Sequence, residues 1–322
     1  MTRVGTMQDD RLTLAVPCRS DEPALGRTLA VALSRCREAG YGQDRSLEVV
    51  VCVNGPGTPT SRAVNDLRVF AARHAARCTL VDADRGQSWP PPADPLGVIG
   101  VLTVREGKPI AWNLLRAGAR SALVVFLDAD VDLGPDAIGM LLDALVRCPQ
   151  AAIASPRTRC APRNSPLERI LAAPYRIDWP NLSGQLYAAR LAALPQRMPE
   201  DVIIDERWLE LTVGRGRIVR VPEAQVIVRL PATLRDFLRQ RMRIEAGKIQ
   251  LAREYGALLG RGTPQPGVRK VLQSLDPADR LRVLAYLVLR LAARIGAAAR
   301  WRRGRSAGLW PQATSTKRWE GG

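Results

Sequence analysis

The chain is 322 residues long, enough to bury a sizeable core without disulfide staples and to make about two domains of common size. Apolar residues are 46% and charged residues 25% of it, which excludes wholesale disorder and fibrous repeats. Its 48 Lys and Arg against 31 Asp and Glu give +17, which predicts attraction to an anionic partner, and the lone histidine, His74, excludes a multi-histidine metal site.

The elements follow in chain order. A short apolar run at 12–16 predicts a strand, and residues 23–39 carry Leu25, Leu29, Ala32 and Leu33 at helical spacing. A Val-rich run at 47–53 predicts a second strand, ended by the turn sequence Asn54-Gly55-Pro56-Gly57. A proline opens a helix expected at 59–76, and a third strand is expected at 78–81. Strand and helix in alternation imply a mostly parallel sheet covered on both faces. Residues 84–96, with Pro90-Pro91-Pro92, read as a loop. A helix at 107–120, a wholly apolar strand at 122–127, a helix at 135–146 and a strand at 151–155 come next. From Pro162 the pattern loosens into helical turns, a turn at Gly184 and a glycine-rich turn at 214–216.

Two basic helices are expected at 234–255 and 281–301. The second has a wide apolar face and sets Arg282, Arg290, Arg294 and Arg300 within about a third of its circumference, at roughly 100° per residue. Ten basic residues lie from Arg280 onward, opposed there by Glu320 alone, so the anionic partner is expected at this tail. The six cysteines include no CxxC pair, which excludes zinc-ribbon and thioredoxin readings and predicts free thiols in a reducing compartment. The N-terminus is polar and no apolar stretch reaches about 18 residues, so a cytoplasmic location without a spanning helix is expected.

Three segments carry chemistry. The apolar strand Val124-Val125-Phe126-Leu127 runs directly into Asp128-Ala129-Asp130. Open α/β sheets bind ligands beyond the carboxyl ends of their strands. Residues i and i+2 of an extended segment point the same way, so Asp128 and Asp130 can converge on one hard cation that also holds phosphates. Pro17-Cys18-Arg19-Ser20-Asp21-Glu22 follows the first strand and offers acceptors for a base or ribose and Arg19 for a phosphate; capping of the next helix by Ser20 or Asp21 explains it as well. Gly107-Lys108, with Ala111 and Asn113, opens a helix with a small residue and a cation.

In this order and spacing the segments resemble family 2 glycosyltransferases of the GT-A fold. The resemblance runs from about residue 12 to 247. It takes in Ser183-Gly184-Gln185 with Arg190, the acidic pair in Asp205-Glu206-Arg207-Trp208-Leu209, and Gln240-Arg241-Met242-Arg243-Ile244, similar to that family's QxxRW segment. Asn54 stands where many relatives have Asp, the acidic pair reads Asp-Glu, Ile244 replaces the Trp, and no histidine follows the acceptor region.

What the resemblance implies is a Rossmann-type sheet with a nucleotide-sugar half at 10–132, an acceptor half at 133–232 and a basic amphipathic helical region at 233–322. The activity it implies is inverting transfer of a sugar, UDP-sugar first, to a hydroxyl of a lipid, glycan or small molecule. Mn²⁺ or Mg²⁺ on Asp130 and Asp128 would neutralise the leaving diphosphate. Pro17, Arg19, Asp21, Asn54, Lys108, Asn113, Asp128 and Asp130 would bind the donor. Asp205 and Glu206 would take the acceptor proton, with Asp201 third in line, and Gly184, Gln240 and Arg243 would meet acceptor or diphosphate.

Two other readings stay open at this stage. Gly55 and Gly57 after a Val-rich strand hint at a dinucleotide-binding oxidoreductase, although Thr60 stands near the place of the third glycine. A catalytically degenerate transferase fold that only binds is the other. For the Arg-rich tail helix, an anionic membrane surface and packing on the catalytic domain rank equally, and nucleic acid below both.

Overall fold

The computed structural model describes residues 10–302 other than 92–93, 162–164, 178, 262–271 and 274. Pro92, Pro162, the polar N-terminus and the tail residues Arg303, Arg305, Lys317, Arg318 and Glu320 lie outside the described residues.

The first half builds β1 (Arg11–Arg19), α1 (Leu25–Glu38), β2 (Ser46–Asn54), α2 (Arg62–Arg73), β3 (Arg77–Asp82), β4 (Leu96–Thr103), α3 (Lys108–Gly118) and β5 (Leu123–Leu127). Next come β6 (Asp132–Leu133), α4 (Ala137–Arg147), β7 (Ile153–Cys160), α5 (Pro166–Ala172), β8 (Leu186–Arg190) and α6 (Asp205–Val213). The chain ends its described part with β9 (Ile218–Val228), α7 (Leu234–Glu254) and α8 (Pro277–Arg302). Nine strands of the described residues form one sheet in the order β3-β4-β2-β1-β5-β8-β7-β9-β6. The run from β3 to β5 is parallel, β8 is antiparallel to both neighbours, and β7 with β9 is parallel again. The mostly parallel sheet flanked by helices is the expected fold class.

Side-chain alternation divides the sheet between two cores. Leu12, Leu14 and Val16 of β1 and Val125 and Leu127 of β5 pack with α1, α2 and α4. Ala15 of β1 and Val124 and Phe126 of β5 pack with α3 and α6. Asp128, next in the even-numbered series, falls on the α3/α6 side. Beneath it, Phe126 stacks between Trp112 and Tyr187, ring centroids 5.7 and 5.1 Å apart, and Trp112 Nε1 donates to Tyr187 Oη at 2.8 Å. A third, smaller core of Leu171, Leu230, Phe237 and Tyr286 joins α5, α7 and α8.

Several expectations need correction. β4 follows the proline-rich loop as a fully buried strand. Its two glycines interrupt the apolar run, yet Gly100 is needed, because a Cβ there would come 2.7 Å from Leu80 and 2.9 Å from Leu67. The helix expected at 59–76 is a single 3-10 turn, Thr58–Thr60, and then α2, because the Ser61 hydroxyl accepts from Val64 N at 3.4 Å and caps a new helix. β7 runs on to Cys160, and β9 crosses the region where the pattern loosens. All six cysteines are free; Cys18, Cys36 and Cys52 are buried and the rest half-buried, and burial pushes the Cys36 and Cys52 thiols up to about 12. No helix among the described residues is long and apolar enough to cross a membrane.

The segment leading into α6 is pressed between the sheet and α7. Gly247 of α7 sits against it: a Cβ there would overlap Ile204 Cγ1 and approach Ile203 Cβ to 3.1 Å. Gly247→Leu is therefore expected to lower stability by about 1–3 kcal/mol in a denaturant titration, because overpacking outweighs the gain in helix propensity. A variant as stable as wild type would show that α7 can slide away.

Candidate active site

The site is built at the carboxyl ends of the central parallel strands. β5 ends at Leu127, and Asp128 N donates to Gln185 O at 2.9 Å, so the acidic turn is tied to the chain entering β8. Gly107, at φ +136°, turns the chain into α3 in a conformation that favours glycine. Asn54, buried at the end of β2, donates from Nδ2 to Gly107 O at 2.9 Å and braces that turn. The first helical residue after it is Lys108.

Lys108 is the hub. Its ammonium donates to Asp128 Oδ1 at 2.8 Å, Asp205 Oδ2 at 3.1 Å and Gly184 O at 2.9 Å. A lysine has three N–H donors, so all are engaged. In this structure the lysine expected to meet the donor binds these protein acceptors. Gly184 is required beside it, since a Cβ there would lie 2.8 Å from Glu206 Cβ. Burial alone would pull the lysine down, but Asp128, Asp205 and Glu206 hold it well above its ordinary value.

The acids around it differ in their protonation. Burial, with Asp130 adding to it, pushes Asp128 up to about 6 against the opposing pull of Lys108. Burial also opposes ionisation of Asp205, but Lys108, a hydrogen bond with Glu206 and the charge of Arg243 bring Asp205 below the usual carboxylate range. Glu206, buried and beside the Asp205 charge, is pushed up to about 7. Both sit in the first turn of α6, where the helix dipole favours negative charge. Lys108 thus pairs with Asp128 and Asp205, and Glu206 beside them holds its proton more tightly than an ordinary carboxyl.

Other expected residues lie farther out. Arg19 and Asp21 bond each other in a fork, at 2.8 and 3.1 Å, at the exposed end of β1, where β1 and β2 pair Pro17 with Cys52. Asn113 is tied to the protein itself. Its amide donates to Met198 O at 2.8 Å and accepts from Met198 N at 2.7 Å, so it pins the loop before α6. Asn54, also expected at the donor, gives its amide N–H to Gly107 O and braces that turn. Antiparallel pairing sets Arg190 opposite Leu123, at the far end of β5 from Asp128. Asp201 is exposed, and its charge acts on Tyr255. Gln240 is half-buried and Arg243 exposed on α7, three residues apart and so on one face. Ser61 caps α2 with its own side chain, which fills the helix start that a dinucleotide-binding turn would leave to a phosphate. Among the described residues no group of three or more His, Cys, Asp or Glu is arranged to hold a metal by itself.

Tyr187 and the carbonyls of Gly184 and Gln185 are not legible in the sequence as parts of this site. Backbone carbonyls carry no residue signal, and only the Phe126–Tyr187 strand pairing puts the phenol under the site.

No protein-family model matches the chain, and no curated protein matches it. Among solved structures it is similar to a mannosyltransferase, PcManGT from Pyrobaculum calidifontis, in complex with GDP-Man and Mn²⁺. The TM-score is 0.53 at 21% identity, over 94% of this chain and 77% of that one. Glucosyl-3-phosphoglycerate synthase from Mycobacterium tuberculosis, in complex with Mn²⁺, UDP and glucosyl-3-phosphoglycerate, gives a TM-score of 0.41 at 16% identity, over 66% and 69% of the two chains. The likeness to the mannosyltransferase shows a shared fold, the one expected from the order of the motifs.

Lys108→Met would leave two acids facing each other and is expected to lower stability by about 2 kcal/mol. In a double-mutant cycle with Asp205→Asn the two losses should fall short of additive by about 1 kcal/mol or more. Additive losses would show that the ion pair contributes nothing beyond its separate parts.

Proposed function

We propose that the chain is a glycosyltransferase that moves a sugar from a nucleoside-diphosphate sugar to an acceptor hydroxyl with inversion at the anomeric carbon. The observation that carries this reading is the cluster of Asp128, Lys108, Asp205 and Glu206 beyond the carboxyl ends of a parallel sheet. The fold is shared with a mannosyltransferase whose structure holds GDP-Man and Mn²⁺, which supports a nucleotide-sugar donor here. A UDP-sugar is the first donor of the proposal and a GDP-sugar the second. Residues 10–132 would form the donor half, 133–232 the acceptor half and 233–322 the helical region.

The donor set fits Mn²⁺ or Mg²⁺. Asp128 and Asp130 offer hard carboxylate oxygens two residues apart in the turn after β5, and Asp130 is close enough to disfavour ionisation of Asp128. Neutralising such a pair is what a divalent cation does, and when bound it would also offset charge on the departing diphosphate. Lys108 keeps Asp128 from swinging away. Glu206 is the proposed general base, because a carboxyl pushed up to about 7 accepts a proton near neutral pH more readily than an ordinary one. Asp205 is then the positioning acid, held ionised by Lys108, and Arg243 faces the same pair from α7 as a cation for acceptor or diphosphate.

Two outcomes test this. With Mn²⁺ present, a UDP- or GDP-sugar is expected to raise the melting temperature, by about 2.7 kcal/mol of stability at a hundredfold excess over Kd, and Asp130→Asn to abolish the gain. An unchanged gain in the variant removes Asp130 as the metal anchor. The rate of transfer, kcat/KM, should rise with pH through about 7 as Glu206 loses its proton. Asp205→Asn removes the charge that lifts Glu206, so the limb should move to lower pH in that variant, with residual activity read at saturating donor. A limb that stays in place assigns it to another group.

A further inference from the structure

The outer face of α8 is unlike the rest of the described surface. One side of the helix is packed: Val283, Tyr286, Ala293 and Ala297 are buried, Arg282 pairs with Asp279, and Arg290 reaches Glu245 of α7 at 3.1 Å. The opposite side carries Leu281, Leu284, Val288, Leu291 and Ile295, each between 46 and 70% exposed. Their spacing alternates three and four, so they form one straight row about 21 Å long. Among the described residues ten large hydrophobics are exposed, and this row holds five of them. Such concentration marks a surface that meets an apolar partner.

Charge narrows the choice of partner. Arg280 and Arg294 flank the row and are exposed, while Asp279, the helix's one acid, is buried against Arg176 and Arg282. The accessible charge of the helix is therefore positive. Two of the chain's seven tryptophans, Trp310 and Trp319, fall in the basic sequence after this helix, while Trp301 at its end lies under Arg253 of α7. Aliphatic row, arginine flanks and tryptophans together are the composition of a helix lying in a membrane interface. A second copy of the chain fits less well. The row spans two heptads where a stable coiled coil takes about three or four, and mating it with itself would set arginines against arginines with no accessible acid between them.

We propose that α8 binds the surface of an anionic lipid bilayer, with the Leu281–Ile295 row in the acyl boundary and Arg280 and Arg294 on the headgroups. The helix lies on the bilayer and does not span it. Binding through this face is independent of the transfer reaction and adds a location to it.

Co-sedimentation of the full chain with vesicles is the test. One set is phosphatidylcholine alone; the other contains about a third phosphatidylglycerol. The chain is expected to pellet with the anionic set about tenfold more strongly than with the neutral set, and less as salt rises. Leu284→Asp with Leu291→Asp should reduce pelleting about tenfold, with an unchanged melting temperature because both sites face solvent. The lipid and salt dependence of wild type tests the proposal without any variant. Wild type that stays in the supernatant, or a double variant that pellets equally, overturns it. So does a lipid-free dimer in sedimentation equilibrium that the double variant converts to monomer, which would give the row to a second copy.

Discussion

One ammonium group holds the candidate site together. Lys108 reaches the end of β5, the backbone before β8 and the first turn of α6, three segments that are far apart in the chain. Each of its N–H groups meets an acceptor, so the partly buried charge is satisfied in the way such a charge must be. The surroundings serve that placement. Gly107 gives the turn, Asn54 braces it, and Gly184 lets Glu206 approach the same point.

The same lysine makes the acids unequal. Asp205 and Glu206 are neighbours in one helical turn, and by sequence either can be a base. Contact with Lys108 keeps the first ionised, and burial beside that ionised group keeps the second protonated until about neutral pH. Asp128 feels the lysine on one side and Asp130 on the other, so its carboxylate is held in place yet left in want of positive charge. The result is a site in which acid, base and anchor are set by environment and not by residue type.

The C-terminal helices carry two different kinds of basic residue. Arg282 and Arg290 of α8 are tied to Asp279 and Glu245 and serve the packing of α8 on α7. Arg241 lies over the rings of Phe237 and Tyr286, at 5.6 and 5.3 Å from their centroids, and joins the small third core. The arginine face expected from helical periodicity is thus partly an internal fastening, and the solvent side of α8 is a row of aliphatic residues. Packing of the tail helix on the rest of the chain, one of the alternatives open from its sequence, is present. It consumes one face and leaves the other.

The amino-acid sequence by itself determined the strands of unbroken Val, Leu and Ile, the helices between them and the acidic turn at residues 128–130, because short-range periodicity and an abrupt change from apolar to acidic are local properties. From these the parallel sheet and the location of the site at its carboxyl edge could be read. β4 was hidden by its own glycines, and β9 by its mixture of buried and half-buried positions. Only the tertiary structure decided what the side chains at that edge do. Lys108 and Asn54 stand out in a linear reading as polar groups, and the structure ties them to Asp128, Asp205 and the Gly107 carbonyl, partners supplied by other elements. Asn113 likewise holds Met198, 85 residues away. Which acid is ionised depends on distances between groups remote in sequence and on how much water reaches them, and neither quantity is written in local pattern.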